Sequence, residues 1–389
     1  MTGTLFTMSI YLDNAATTFP KPSQVTEAVE RTLRENSANP GRGGHHMSLD
    51  AGRMVMECRE SVARFFGITD ASRIAFTANA TEAINLGLFG ALGPGDRVVT
   101  TSMEHNAVVR PLRALSDQGV EVVRVAADAL GRVDPQSVRD ACVAGTRLII
   151  MTHCSNVTGT LQAIEDIGPW CREQGVLFMV DAAQSAGVFP IDVEKMAIDL
   201  LAVPGHKSLM GPTGTGFLYV RKGLDLKPLL YGGTGNFSQS AIQPYEMPER
   251  LESGTLNTIG LAGLKAGVDF LEKLGLDHVR AHEQELLRQL IEGLQAIDNV
   301  VLYGPLGFAG HGGALSFNVK NVDPSMLGFR LDREYGICCR VGLHCAPKAH
   351  GSIGTLPEGT VRLSPGYFNT ADDINQTLAA IRAIVATES

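Results

Sequence analysis

The chain has seven cysteines but no Cys-x-x-Cys pair. An odd number of cysteines in a chain of 389 residues argues against a disulfide framework or a structural zinc site, and for reduced thiols of a cytoplasmic protein. Runs rich in Lys and Arg are also missing, and the formal net charge is −8. That balance argues against nucleic acid and anionic membrane surfaces as partners. The apolar stretches are too short and too often interrupted to span a bilayer. Residues Met1 to Met8 lack the basic start and long apolar core of a signal peptide, and Met8 offers a second possible start. Internal repeats and low-complexity segments are absent too. What remains is a chain long enough for a large core and two domains.

Apolar β-like runs alternate with helical patterns through the first two thirds. Strands are predicted at Arg73–Thr77, Arg97–Thr101, Glu121–Val125, Arg147–Thr152, Val176–Val180, Leu200–Val203 and Gly216–Val220. Helices are predicted between them at Thr81–Leu92, Ala107–Gln118, Pro135–Cys142 and Asp166–Gln174, and before them at Asp50–Phe66. This alternation implies an α/β domain with a mostly parallel sheet covered on both faces. Tyr231–Thr258, rich in Gly, Ser, Asn and Pro, reads as long irregular loops. Helical patterns follow at Ile259–Leu274 and Leu276–Ala296. The last ~90 residues mix short strands and helices, as in a smaller α+β domain.

Two strand ends carry the main chemical signal. Asp181 and Gln184 follow the run Val176–Val180, and Gly205-His206-Lys207 follows the next run. Open α/β sheets bind ligands at the carboxyl ends of their strands. A lysine there forms a Schiff base when burial or a nearby cation lowers its pKa. A carboxylate nearby holds a pyridinium nitrogen protonated, and the pair is what pyridoxal phosphate (PLP) chemistry requires. Taken singly, Lys207 reads as an exposed loop lysine and Asp181 as a helix cap. The glycine run Gly211–Gly216 is spaced Gly-x-x-Gly-x-Gly and precedes a strand, so it is not a dinucleotide fingerprint.

Further candidates sit at other segment ends. Ala80 and Thr81 open a helix after a strand, where backbone N–H groups bind phosphate. His105 follows Arg97–Thr101, placed to stack on a flat ring and move protons, or simply to bond locally. Arg362 lies on a strand, fit for a carboxylate or for the surface. Cys345 lies beside His344 on a loop with Pro347 and Gly351, as an activated thiolate or a buried structural thiol. Tyr335–Cys339 reads as strand, so Cys338 and Cys339 fit the structural role better. The spacing of His344, Cys345 and His350 matches no common zinc pattern, and no metal is expected.

Together these segments resemble the class V aminotransferase family of fold-type I PLP-dependent enzymes, most closely its cysteine desulfurases. The resemblance covers nearly the whole chain. It implies a large PLP-binding domain over residues 20–260, with a mostly parallel seven-stranded sheet. It also implies a small domain formed by residues 1–19 and 261–389. Tyr11–Thr18 resembles the opening strand and loop, which adds Asn14 as a substrate-binding candidate. The resemblance gives Ala80, Thr81 and His206 a part in cofactor binding, and faces Asn156 toward the cofactor. It pairs Asp181 and Gln184 with the pyridinium and the phenolic oxygen, and stacks His105 on the ring. Lys207 carries PLP, and Arg362 grips the substrate carboxylate. Arg340–Ala346 resembles the short-loop segment whose cysteine, here Cys345, takes sulfur as a persulfide. Thr255 resembles the threonine that reaches the phosphate of a neighbouring subunit, which implies a homodimer. The family often has a serine before Gly-His-Lys; here that position is Pro204, which has neither hydroxyl nor N–H.

The activity so implied converts L-cysteine to L-alanine and hands sulfur to an acceptor thiol. Alternatives on the same scaffold are a selenocysteine lyase, a cysteine-sulfinate desulfinase or a PLP transaminase. A non-catalytic sulfur carrier is the alternative from another class.

Overall fold

The protein is described by a computed structural model over residues 9–41, 44–235, 239–307 and 310–388. The choice between Met1 and Met8 lies outside the described residues. The chain opens with a short strand, β1 (Ile10–Tyr11), and two helices, α1 (Ser23–Glu35) and α2 (His46–Phe65). Alternation follows through β2 (Ile74–Thr77), α3 (Ala80–Ala91), β3 (Arg97–Thr101), α4 (Asn106–Asp117) and β4 (Glu121–Val125). It continues with α5 (Pro135–Asp140), β5 (Thr146–Thr152), α6 (Ile164–Gln174), β6 (Leu177–Asp181), β7 (Leu200–Pro204) and β8 (Gly216–Val220). After an irregular stretch come α7 (Thr258–Leu274) and α8 (Leu276–Gln295). The remainder is β9 (Val300–Tyr303), β10 (Leu315–Val319), α9 (Pro324–Tyr335), β11 (Ile337–Cys338), β12 (Arg340–Gly342), α10 (Pro347–Ile353), β13 (Thr360–Leu363) and α11 (Ala371–Glu388).

Seven strands form one sheet in the order β2-β8-β7-β6-β5-β3-β4. Only β8 runs antiparallel to its neighbours. Strand β6 shows why its sequence is a continuous apolar run. All five of its residues are buried. Phe178 and Val180 point into one apolar cluster, and Leu177 and Met179 into the cluster on the opposite face. Helices cover both faces, so both sets of side chains lose contact with water. The parallel arrangement brings the carboxyl ends of β3, β5, β6 and β7 to one edge. There Thr152 pairs in register with Asp181, and Asp181 with Ala202.

A second, antiparallel sheet has the order β12-β13-β10-β9. It is packed by Leu290 of α8, Leu331 of α9 and Ile381 of α11 around Phe317. Strand β1 pairs in parallel with β11, so Ile10 and Leu12 join this cluster from the far end of the chain. The boundary expected at residue 260 falls inside α7, whose Leu261, Leu264, Val268 and Leu271 pack into the large cluster. The small cluster takes up the chain again at Leu286.

Two local expectations are corrected. Tyr335 is not strand: it ends α9, and Gly336 caps that helix with φ 66°. A left-handed cap of this kind needs glycine, which stops the helix and lets β11 begin one residue later. Residues 347–353 are not loop but the short helix α10, which starts with Pro347 at its first position and buries Ala349 and Ile353.

Candidate active site

A cavity of about 650 Å³, counting its mouth, opens at the carboxyl edge of the large sheet. Ala80, Thr81, His105, Asn156, Asp181, Gln184, His206 and Lys207, all singled out from sequence, line it together. Asn79, Thr152, Cys154 and Pro204 also line it. Of these, Cys154 and Thr152 carried no usable signal in the sequence, because they look like the end of one more buried strand.

Glycines shape the turn that carries Lys207. The Gly205 N–H donates to the Thr215 carbonyl at 2.8 Å, which folds the turn onto the start of β8. A Cβ on Gly205 would stand 2.2 Å from Thr215 Oγ1, so no side chain fits there. Gly216 packs as closely, because a Cβ would meet the Asn79 backbone at 2.9 Å. Gly216 therefore lets β8 lie against the start of α3. The His206 carbonyl accepts from Thr18 N–H at 3.2 Å, Thr17 Oγ1 at 3.1 Å and Lys21 Nζ at 2.6 Å. The peptide just before Lys207 is thus held from the amino-terminal segment. Lys21 gave no sequence signal for this role.

Burial pushes the Lys207 ammonium down to about 8; Asp181 opposes the fall, and Arg362 and Arg340 add to it. Asp181 is buried, which raises its carboxyl, while the Ala183 N–H donating to Oδ1 at 2.9 Å and Lys207 lower it. His105 caps α4, and its Nδ1 accepts from the Ala107 N–H at 3.0 Å. That bond leaves the proton of the neutral ring on Nε2. Burial takes the His105 imidazole down to about 4, helped by Lys207, Arg340, Arg110 and Arg362. Gln184 spends one amide proton on the Ala15 carbonyl at 2.9 Å.

The helix α3 meets the cavity with its positive end. Asn79 caps it by accepting from the Glu82 N–H at 2.9 Å. The first N–H groups of the helix, at Ala80 and Thr81, have no intrahelical partner. Such an end is a ready anion site. Lys207 lines the same cavity and adds positive charge to it. A phosphate at the helix start, a flat ring beside His105, a ring nitrogen toward Asp181 and a reactive carbon at Lys207 would each meet matching chemistry. The donor set fits PLP.

Cys345 is the exposed cysteine of the seven. It lies on a turn after β12 with φ 57°, preceded by His344 with φ 47°. Two successive left-handed residues that are not glycine are strained and persist only when their surroundings fix them. Three contacts do so. Asn156 Nδ2 donates to the His344 carbonyl at 2.7 Å, and the Asn106 N–H to the Cys345 carbonyl at 2.7 Å. The His344 ring meets Thr360 Oγ1 through Nε2 at 3.1 Å. Thus the turn touches both His105's neighbour and a residue of the cavity. By contrast, Cys338 and Cys339 are only partly exposed, and burial raises both thiols, Cys339 to about 12.

Arg362 is buried on β13 and donates to the Asn156 carbonyl at 3.0 Å, beside the cavity. Two candidates stand apart. Asn14 lines an adjoining crevice that shares Gln184 with the cavity, and its amide bonds Ser364 O at 3.0 Å and Asn369 Oδ1 at 3.2 Å. Thr255 is not brought to the cavity; it lines a separate open cleft with Arg59 and Glu252.

The chain is similar over nearly its whole length to known proteins. The family model described as aminotransferase class-V matches residues 10–377. A probable cysteine desulfurase of Methanothermobacter thermautotrophicus is 39% identical over 372 residues, covering 94% of this chain and 92% of the relative. A cysteine desulfurase of Haloferax volcanii is 33% identical over 386 residues, covering 96% and 89%. The apo structure of a cysteine desulfurase from Thermococcus onnurineus NA1 superposes with a TM-score of 0.92 at 34% identity, covering 97% of this chain and 95% of that one. The architecture is that of a fold-type I PLP-dependent transferase, and the chain belongs to the class-V aminotransferase family.

Proposed function

We propose that the protein is a PLP-dependent cysteine desulfurase, converting L-cysteine to L-alanine and taking the sulfur onto Cys345. The observation that carries this reading is one convergence. Lys207, Asp181 and His105 share a cavity, and the turn bearing the exposed Cys345 is tied to that cavity through Asn156 and to α4 through Asn106.

When bound, PLP supplies an electron sink that makes the substrate Cα proton acidic. The protein's groups do the rest. Asp181 would keep the ring nitrogen protonated, and Gln184 would donate to the phenolic oxygen. Ala80, Thr81 and His206 would hold the phosphate. Pro204 offers it no donor, so that grip rests on the start of α3. Arg362 orients the substrate, and Asn14 supports the adjoining crevice wall from outside the cavity. Lys207, poised near neutral pH, takes the proton from Cα and returns it. Cys345 Sγ attacks the substrate sulfur: an S–S bond forms and the Cβ–S bond breaks. The electron pair stays with the three-carbon fragment, which gains protons and leaves as alanine. One cysteine and one protein thiol thus give one alanine and one persulfide. His105, neutral with its proton on Nε2, would offer its flat face to the ring.

A homodimer would bring Thr255 of one protomer to the cavity of the other. The sulfur then passes to an acceptor thiol. Among the described residues no helix is long and apolar enough to cross a membrane, and we place the protein in the cytoplasm. The test is an assay of alanine and persulfide from L-cysteine. Cys345→Ala should keep the bound cofactor and lose persulfide; undiminished persulfide in that variant overturns the assignment.

A further inference from the structure

Arg362 is 2% exposed, yet its guanidinium is only partly satisfied by the protein. Nη1 donates to the Asn156 carbonyl at 3.0 Å, and Nη2 to Asp13 Oδ1 at 2.7 Å. Nε is buried and has no partner. Asp13 keeps 21% of its side chain exposed, so the ion pair is open on the carboxylate's side. The two residues lie 349 positions apart. Backbone contacts fix their approach: Asp13 bridges Ser364 in parallel, and the Leu12 N–H donates to the Cys338 carbonyl at 2.9 Å. Arg340, the Cα partner of Arg362 across β12 and β13, adds a second cation on the same side.

A buried guanidinium without a counter-ion is costly, so a residue meant to receive a carboxylate needs a substitute while it waits. Asp13 has the same chemistry as the group that would replace it. A bidentate grip uses two adjacent N–H groups. Nε and Nη2 form one such edge; Nε is free, and Asp13 takes one of the two N–H groups of Nη2. A substrate carboxylate settling on this edge is brought against the like charge of Asp13 and binds more tightly once Asp13 gives way.

We propose that Asp13 is a resident stand-in for the substrate carboxylate, holding Arg362 in place until that carboxylate takes over Nη2. Asp13 is therefore a positioning residue that also sets specificity, because an amine without a carboxylate has nothing to exchange for it. This rests on the reading of Arg362 as the carboxylate-binding residue. Asp13→Asn keeps an oxygen that accepts from Nη2 but removes the competing charge. In the PLP-loaded protein, KM for L-cysteine should fall by about tenfold, the worth of one competing charge removed from the guanidinium. The dissociation constant of L-alanine, measured by calorimetry, should fall in step, while that of ethylamine, which has no carboxylate, stays unchanged. Asp13→Ser, which also removes the charge, repeats the test if the first variant does not fold. A KM and an alanine constant that rise or stay the same in the folded variant overturn the proposal. Arg362→Ala separates the two readings. If it leaves alanine binding unchanged, the role of Arg362 fails. If it weakens binding while Asp13→Asn does not tighten it, only the role of Asp13 fails.

Discussion

The backbone N–H of Asn106 donates to the carbonyl oxygen of Cys345 at 2.7 Å, joining the start of α4 to the turn after β12. Asn106 follows His105 directly, so this bond places the turn of the exposed cysteine beside the histidine of the cavity. Beside the Asn156 bond to the His344 carbonyl, the turn is supported by a directed chain. Ser316 Oγ donates to the Val157 carbonyl at 2.7 Å, and Thr360 Oγ1 donates to Ser316 Oγ at 2.9 Å. A carbonyl only accepts, so each hydroxyl must pass its proton toward Val157. Thr360 must then accept from His344, which fixes the His344 proton on Nε2. Burial takes the His344 ring down to about 2, so it serves as a neutral donor and not as an acid or base.

Thr360→Val tests that chain. The substitution is nearly isosteric but leaves His344 Nε2 buried without its acceptor and Ser316 Oγ without the donor it accepts from. Unfolding stability should fall by about 1–3 kcal/mol. Persulfide formation should slow by roughly ten- to a hundredfold through misplacement of Cys345. Cofactor binding should persist, since Thr360 does not line the cavity. Equal losses of cofactor and persulfide would show that the chain supports the whole domain and not the turn.

How much of this was legible in the sequence follows from which interactions are local. The large sheet was readable because each parallel strand is buried on both faces, so runs such as Leu177–Asp181 stand out without any partner being known. The helix α1 is legible as well, since Val25, Ala28, Val29 and Leu33 fall at helical spacing, but with only Val25 and Ala28 buried it stands outside the strand–helix alternation that organises the reading. Lys207 and Asp181 were readable because they stand at strand ends, where the topology alone gathers ligand-binding groups. Cys345 needed the family resemblance, since a loop cysteine beside a histidine is ambiguous by itself. Nothing local marks Asp13 as the partner of Arg362, or Lys21 as the group on the His206 carbonyl. Both are long-range pairings made by the fold.

Glu104 gives a prediction about pH. It is fully buried, its Oε1 accepts from Thr101 Oγ1 at 2.6 Å and from the Thr152 N–H at 3.1 Å, and its Oε2 has no partner. Burial pushes its carboxyl up to about 8, against the two bonds, with Asp181 adding to the rise. Between the ordinary carboxylate pKa and about 8, the folded protein holds a proton that the unfolded chain has released. The folded state therefore binds more protons, and stability contributed by Glu104 falls as pH rises through that window. The slope for one proton is at most about 1.4 kcal/mol per pH unit. Glu104→Gln, a permanent mimic of the neutral acid, should remove that slope. Urea midpoints at a series of pH values check it; an unchanged slope would mean that Glu104 is ionised in the folded protein. Glu283 is pushed up to about 8 by burial as well and contributes a slope of the same sign, so Glu104→Gln flattens the profile only in part.

An ion pair ties the irregular stretch before α7 to the large domain. Arg59 of α2 meets Glu252 twice, at 2.8 and 3.0 Å, and both side chains are buried. Arg59 also donates to the Ile74 carbonyl, and Glu252 accepts from the Phe76 N–H at 2.6 Å, so both residues grip the edge strand β2. The Arg59 guanidinium lies 4.5 Å from the centre of the Phe76 ring. Desolvating two charges costs about what their attraction returns, so the pair as a whole adds little net stability. Removing one partner is different, because the other charge is then buried alone. Glu252→Ala should cost about 3–5 kcal/mol, whereas the apolar pair Arg59→Met with Glu252→Leu should cost much less. Because Glu252 stands three residues before Thr255, the single variant should also loosen the cleft that Thr255 lines. Hydrogen exchange would show this as faster exchange in residues 248–257, with the core of β6 unchanged. If the double variant were as unstable as the single one, the stability would reside in the bonds to β2 and not in the pairing of the charges.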